Sequence, residues 1–168
     1  MENAFTIRVA DERDVYLIQE IANKVWPLTY NSIVPAGQVE YMLQLIYNPD
    51  SLKDQMNRHH QFLILEQGKR PIGFASYSAI EPGLYKLHKL YVLTELQGKG
   101  AGKFLLDQVI NNIRHENAEK LFLTVNRNNN AKIFYEKQGF KVIREEKADI
   151  GNGYFMDDYI MELKLRNE

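Results

Sequence analysis

Residues 97–103, Gln97-Gly98-Lys99-Gly100-Ala101-Gly102-Lys103, place three glycines and two lysines between a strand-like run and a helical one. A glycine-rich turn that opens a helix gathers unpaired backbone N–H groups at the positive end of the helix dipole, and glycine lets an anion approach them closely. Such a loop can hold phosphate. It is not a Walker A loop, because only three residues separate Gly98 from Gly102 and Phe104 stands where a magnesium-binding hydroxyl would be needed. Nor is it a dinucleotide fingerprint: Gly98 and Gly100 fit G-x-G-x-x-G, but Lys103 occupies the place of the third glycine. A helix start without a ligand is the alternative, and Lys99 and Lys103, placed to meet negative charge, count against it.

Other residues could complete a reaction centre. Tyr135 is a phenol that can donate a proton or hydrogen bond at neutral pH, although Ala131, Phe134 and Tyr135 share one helical face and would equally serve as packing. His88 lies two residues before Leu90, and strict alternation puts it on one strand face with Lys86, Leu90 and Val92 as a candidate proton relay. His59 and His60 read as surface residues at a strand start. Asp157 and Asp158 interrupt an apolar run at 155–165. Acids in such a strand cost stability unless an exposed edge or a partner accommodates them; the sharper reading is that Asp158 attracts a cation. Trp26, Tyr30 and Tyr41 supply aromatic walls that can face a cation.

The elements that must position these residues follow from periodicity. Residues 5–9 alternate as a strand, and Asp11 with Asp14 forms a capping box ahead of a helix with Val15, Ile18, Ile21, Ala22 and Val25 on one face. Pro27 is expected to end that helix, and Pro35 to open a second with Val39, Met42, Leu43 and Ile46 buried. A short helical turn is expected at 51–56. Strands at 61–66, 72–79 and 86–92 follow, the first two as an antiparallel hairpin around residues 68–71. The glycine loop then opens a helix with Leu105, Leu106, Val109, Ile110 and Ile113 on its apolar face. A strand at 121–125, a helix at 128–137 and strands at 140–149 and 154–165, turning at residues 151–153, complete the order β-α-α-β-β-β-α-β-α-β-β. This order predicts one α/β domain over residues 1–168, a mixed sheet with helices on both faces, and parallel neighbours at 86–92 and 121–125. Ligands in open sheets sit beyond the carboxyl ends of such strands, near Val92 and Val125.

The chain has 168 residues with 21 Lys+Arg, 22 Asp+Glu, 45% hydrophobic residues and no cysteine. That length supports a core without disulfides or a structural metal, and the lack of cysteine excludes a thiol nucleophile, a zinc ribbon and a redox dithiol. A formal charge of -1 argues against general nucleic-acid binding, yet Lys86, Lys89, Lys99 and Lys103 face only Glu95 over 86–103, a basic patch that the average conceals. No basic leader or membrane-length apolar run is visible, so a cytoplasmic location and no membrane partner are expected.

Leu90-Tyr91-Val92 followed by the 97–102 loop resembles the Q/R-x-x-G-x-G/A acetyl-CoA loop of the GCN5-related N-acetyltransferases. Independently, the stretch from Asn128 through Ala131, Tyr135 and Glu136 to Gly139-Phe140 is similar to that family's N-x-x-A-x-x-x-Y-E-x-x-G-F segment. The element order matches over essentially the whole chain. The resemblance implies acetyl-CoA as co-substrate and no metal. It implies a pantetheine arm along Leu90, Tyr91 and Val92, with the Val92 amide available to the thioester oxygen if a bulge frees it. Pyrophosphate would sit on the N–H groups of Gly98, Lys99, Gly100, Ala101, Gly102 and Lys103, Asn128 would hydrogen-bond the pantetheine arm, Gln97 and Lys137 would also contact the cofactor, and Tyr135 would be the acid at the sulfur. From the residues themselves, His88 is either a proton relay or a partly exposed sheet histidine, and Trp26, Tyr30 and Asp158 are expected to meet the acceptor, a small-molecule amine. Looser matches at 25–35 and 156–161 resemble a bacterial PaiA-type polyamine acetyltransferase branch. A non-catalytic acetyl-CoA-sensing module, a protein N-acetyltransferase and a homodimer through exposed terminal strands stay open.

Overall fold

The computed structural model describes residues 4–166; residues 1–3, at the start of the stretch read above as lacking a leader, lie outside it. Strand β1 (Phe5–Val9) leads into a 3-10 turn (Glu12–Asp14) and helix α1 (Val15–Tyr30). Arg13 N–H donates to Asp11 (2.9 Å), and Asp11 N–H donates to Asp14 (3.0 Å). The capping box thus forms, on the 3-10 turn rather than on the helix itself. Val15, Ile18, Ile21, Ala22 and Val25 are all buried.

Pro27 does not end α1, which runs on to Tyr30. A proline removes only its own N–H bond to the carbonyl four residues back, and the last turn closes around it. Thr29 Oγ1 donates to the Val25 carbonyl (2.9 Å), and Asn31 N–H donates to the Pro27 carbonyl (3.1 Å). Helix α2 (Gln38–Tyr47) starts three residues after Pro35, behind a left-handed Gly37, and Leu43 and Ile46 are only half-buried on it. The turn expected at 51–56 is a full helix, α3 (Pro49–Asn57), begun by an Asn48 side chain that accepts from Ser51 N–H and by Pro49 in its first turn.

Strands β2 (Gln61–Gln67), β3 (Arg70–Glu81) and β4 (Leu84–Val92) form an antiparallel meander. Helix α4 (Ala101–His115), strand β5 (Lys120–Asn126), helix α5 (Ala131–Lys137), and strands β6 (Lys141–Gly151) and β7 (Tyr154–Lys164) follow. Helix α5 begins at Ala131 rather than Asn128, because the Asn126 and Asn129 side chains accept from the N–H groups of Asn128 and Ala131 and hold the chain in turns. The seven strands make one mixed sheet in the order β1-β2-β3-β4-β5-β7-β6. As expected, β4 and β5 are its parallel pair. Buried Leu105, Leu106, Val109 and Ile113 form the inner stripe of α4, with Ile110 half-buried beside them.

Pairing between β3 and β4 slips by one residue: Ser76 faces Lys89 but Tyr77 faces Leu87, so His88 is an extra residue on β4. A bulge of this kind breaks the alternation of faces. His88 and Lys89 both turn toward the α1–α3 side, where Lys89 reaches Gln55, and Tyr91 follows to meet Tyr30. Strict alternation, which would have grouped His88 with Leu90 and Val92, therefore fails at this point. Gly73 lies opposite the far end of β4, where a Cβ would come within 2.6 Å of the Tyr91 carbonyl oxygen. Replacing it with alanine forces backbone apart, so Gly73→Ala is expected to lower stability in urea denaturation by about 1–3 kcal/mol.

Candidate active site

Strands β4 and β5 pair at only three positions, from Leu84↔Lys120 to Lys86↔Phe122, and then part. A cavity of ≈ 680 Å³ follows the gap, bounded by Leu90 and Val92 on one side, Leu123 and Val125 on the other, and the glycine loop at one end. Leu93 N–H donates to the Ile72 carbonyl (2.9 Å). In an antiparallel ladder, pairs that exchange hydrogen bonds alternate with pairs that do not, so Leu90 and Val92 turn their N–H and C=O groups away from β3 and into the gap. The parting of the strands, and not a bulge at Val92, leaves that amide open. The Val92 carbonyl accepts from Gln97 Nε2 at 3.4 Å.

At the loop, Gly98 (φ +79°) and Gly100 (φ +85°) are left-handed, with open space where a side chain would project. Gly100 precedes α4 without a side-chain cap, and the first helical bond runs from Phe104 N–H to the Gly100 carbonyl. The N–H groups of Ala101, Gly102 and Lys103 have no partner inside the helix. Together these amides make an anion cradle at the cavity mouth. The lysines do not all gather there. Lys103 lines the cavity, 2.6 Å from Asp107, whereas Lys99 is exposed outside the lining, Lys86 lies over the Phe122 ring and Lys89 points to the opposite sheet face. The expected four-lysine patch is dispersed by strand alternation and the bulge. Gln97, Gly98, Gly100, Gly102 and Asn128 line the cavity; Ala101 is buried behind it and Lys137 is exposed at the end of α5, away from it.

Tyr135 also lines the cavity, packed edge-on against Phe134 and Phe140. Burial pushes its phenol well above the ordinary tyrosine value, so it remains a donor at any working pH. A second cavity of ≈ 210 Å³ adjoins the first, walled by Trp26, Met42, Tyr47, Asn126, Met156 and Asp158. Tyr30, His88, Lys89, Tyr91 and Thr124 border both spaces and form their junction. The Tyr30 and Tyr91 hydroxyls are 3.1 Å apart, and Asn129 Nδ2 donates to Tyr30 at 3.4 Å.

The acidic pair divides. Asp157 meets Arg127 at 3.3 Å on the surface, while Asp158 is half-buried opposite Asn126 and keeps Oδ1 without a partner. β7 is an internal strand, so edge exposure does not explain Asp158. Desolvation, with the charges of Asp157 and Glu146, raises its pKa to about 6. His88 Nε2 lies 2.7 Å from Ser78 Oγ, and its ring stacks 4.0 Å from that of His60, which is thus half-buried and not a surface residue. Burial, and then the His60 ring, lower the His88 pKa to about 3. Tyr41 takes no part in either cavity: its hydroxyl donates to the Ile150 carbonyl (2.8 Å). Asn126, Asn129 and the buried position of Lys89 escaped the sequence reading.

The sequence model of the acetyltransferase (GNAT) domain matches residues 31–162. The chain belongs to the GNAT acetyltransferase family. The PaiA N-acetyltransferase of Thermoplasma acidophilum, solved with coenzyme A, superposes with a TM-score of 0.82 at 28% identity, covering 96% of this chain and 99% of that one. An N-acetyltransferase of Bacillus subtilis, YuaI, is 27% identical over 86% of this chain and 85% of its own length. The [ribosomal protein bS18]-alanine N-acetyltransferase of Haemophilus influenzae is 28% identical over 70% of this chain and 77% of its own. This GNAT protein is an acetyl-CoA-dependent N-acetyltransferase, which removes the reading as a mere sensor. Among the described residues no cluster of His, Asp and Glu is arranged to hold a metal ion, and no helix is long and apolar enough to cross a membrane. The open amides of the gap and cradle fit a pantetheine arm and its phosphates. Placing a Cβ on left-handed Gly100 costs about 1 kcal/mol, so Gly100→Ala is expected to weaken coenzyme A binding about fivefold in calorimetry.

Proposed function

We propose that this GNAT protein passes an acetyl group directly from acetyl-CoA to the primary amine of a small molecule held in the ≈ 210 Å³ cavity. The observation that carries this reading is the junction of two spaces, one bordered by open strand amides and the other small and walled by side chains. Leu90 and Val92 extend their free backbone groups to the pantetheine arm as an added strand would. The amides of 98–103 receive the pyrophosphate, and Lys103 adds its charge. Lys99 and Ala101 contribute backbone amides only, Asn128 lines the path of the arm, and Lys137 lies outside it.

Val92 N–H polarises the thioester carbonyl, Tyr135 donates toward the sulfur, and Trp26 and Tyr30 bound the acceptor. The amine nitrogen bonds to the carbonyl carbon as the carbon–sulfur bond breaks. One proton leaves the amine and one reaches the sulfur, giving an acetamide and free coenzyme A. A base works best when it titrates near the working pH. Asp158, near 6, meets that condition better than His88, near 3, so Asp158 takes the ammonium and its proton while His88 positions the junction. With no cysteine in the chain, no acetyl-thiol intermediate on the enzyme forms.

A thiol-release assay across spermidine, other small amines, amino acids and peptides tests the acceptor class; turnover of peptides alone would sink the small-molecule reading. Tyr135→Phe is expected to lose about 10²-fold in kcat while coenzyme A affinity holds. Because Asp158 must be ionised to hold an ammonium, kcat/KM for the acceptor is expected to fall as the pH drops through about 6. In Asp158→Asn the level should be lower and this acidic limb absent.

A further inference from the structure

Lys89 is a lysine in an unusual place. It is 8% exposed, in the middle of β4, and its Nζ has one hydrogen-bond partner among the described residues, Gln55 Oε1 at 2.7 Å. Gln55 is fixed in that orientation, since its Nε2 already donates to the Ile46 carbonyl (2.9 Å) and to Ser51 Oγ (3.1 Å). The rings of Tyr47 and Phe62 lie 5.5 and 5.6 Å from the ammonium. A neutral amide and two π-faces hold a cation without neutralising it. An ammonium has three donors, and a buried charge is normally paired with an opposite one. No carboxylate lies within ion-pair distance of Lys89 among the described residues.

Lys89 also borders the acceptor cavity. The same cavity holds Asp158, whose Oδ1 has no partner, and the two form no ion pair with each other. One cavity therefore carries a fixed cation and a separate carboxylate, with Met42, Ile46, Met156, Trp26 and Tyr47 as the apolar part of its wall. A polyamine, positive along its length, would satisfy Asp158 and be repelled by Lys89. A molecule with an amine at one end and an anion at the other satisfies both.

We propose that Lys89 is a specificity-determining residue that binds the carboxylate of the acceptor, and that the acceptor is an amino-carboxylate with a small apolar side chain. This rests on the small-amine reading above and narrows its substrate class. Burial, and then Lys86, lower the Lys89 pKa to about 8, which leaves it charged at neutral pH. A bound carboxylate would raise it again.

The experiment compares kcat/KM for leucine and methionine with leucinamide and methioninamide, and with spermidine, in the native protein and in Lys89→Met. Masking the carboxyl makes the α-amine less basic, near ~8, so the amides have the larger neutral fraction and chemistry alone favours them. The native protein is expected to prefer the acids by about tenfold or more, as for a hydrogen-bonded charge pair. In Lys89→Met this preference should vanish through KM, while amide turnover shows that the variant is folded and binds acetyl-CoA. The native ratio decides by itself if the variant does not fold. Amides or spermidine used as well as the acids would overturn the inference and leave the small-amine reading standing. An acid preference that survives in Lys89→Met would overturn the role of Lys89. Acetylation of peptides with no small amine accepted would overturn both readings together.

Discussion

The rest of this molecule depends on where β4 stops pairing with β5. Backbone N–H and C=O groups that leave a ladder must find other partners or carry the cost of being unmet. Here the strands part after Lys86↔Phe122, and the groups of Leu90 and Val92 open into a cavity instead of onto a neighbouring strand. A ligand with an amide-bearing arm can take the place of the missing strand. The glycine loop follows directly on β4, so the same strand that offers the arm its partners also delivers the unpaired amides at the start of α4. Gly73, on the other side of β4, lets β3 press close to Tyr91 and Val92.

The extra residue at His88 decides which side chains look into the ≈ 210 Å³ cavity. Without it, alternation would send Leu90 and Val92 to the α1–α3 side. With it, Lys89 and Tyr91 go there, and the strand presents a cation and a hydroxyl where it would have presented two aliphatic groups. The Tyr30–Tyr91 contact then ties α1 to β4 at the junction of the two cavities. Helix α1 reaches that contact only because it continues through Pro27; a helix ending there would leave Tyr30 outside the site.

Much of this was legible before any coordinates. The apolar stripe of α4, the β2–β3 hairpin, the parallel β4–β5 pair and the glycine loop that opens α4 all follow from periodicity, element order and glycine placement. Asn48 and Pro49 also carry the start signal of α3 in their types, a cap followed by a first-turn proline, although the helix was expected to begin only at residue 51. The bulge was not legible, because it depends on how β4 registers against β3. The burial of Lys89 follows from that bulge, and the chain spacing of lysines therefore suggested a patch that three-dimensional placement breaks up. Asp158 was recognised as anomalous, but its meaning required the strand order: an acid on an edge strand is ordinary, and one on an internal strand beside a cavity is not.

The two ends of the site are built from different materials, and this has a consequence for specificity. The cofactor end uses main-chain amides and glycines, whose geometry is independent of most side-chain identities. The acceptor end proposed above uses side chains from α1, α2, β4, β5 and β7, which can change without moving the sheet. Lys89 and Asp158 are also groups that fit uncomfortably into a stable fold, since each is partly desolvated and, among the described residues, makes no ion pair. Local rules are broken where function demands it, and compensated elsewhere. That both departures border one ≈ 210 Å³ space is what supports the proposal that the acceptor is chosen there.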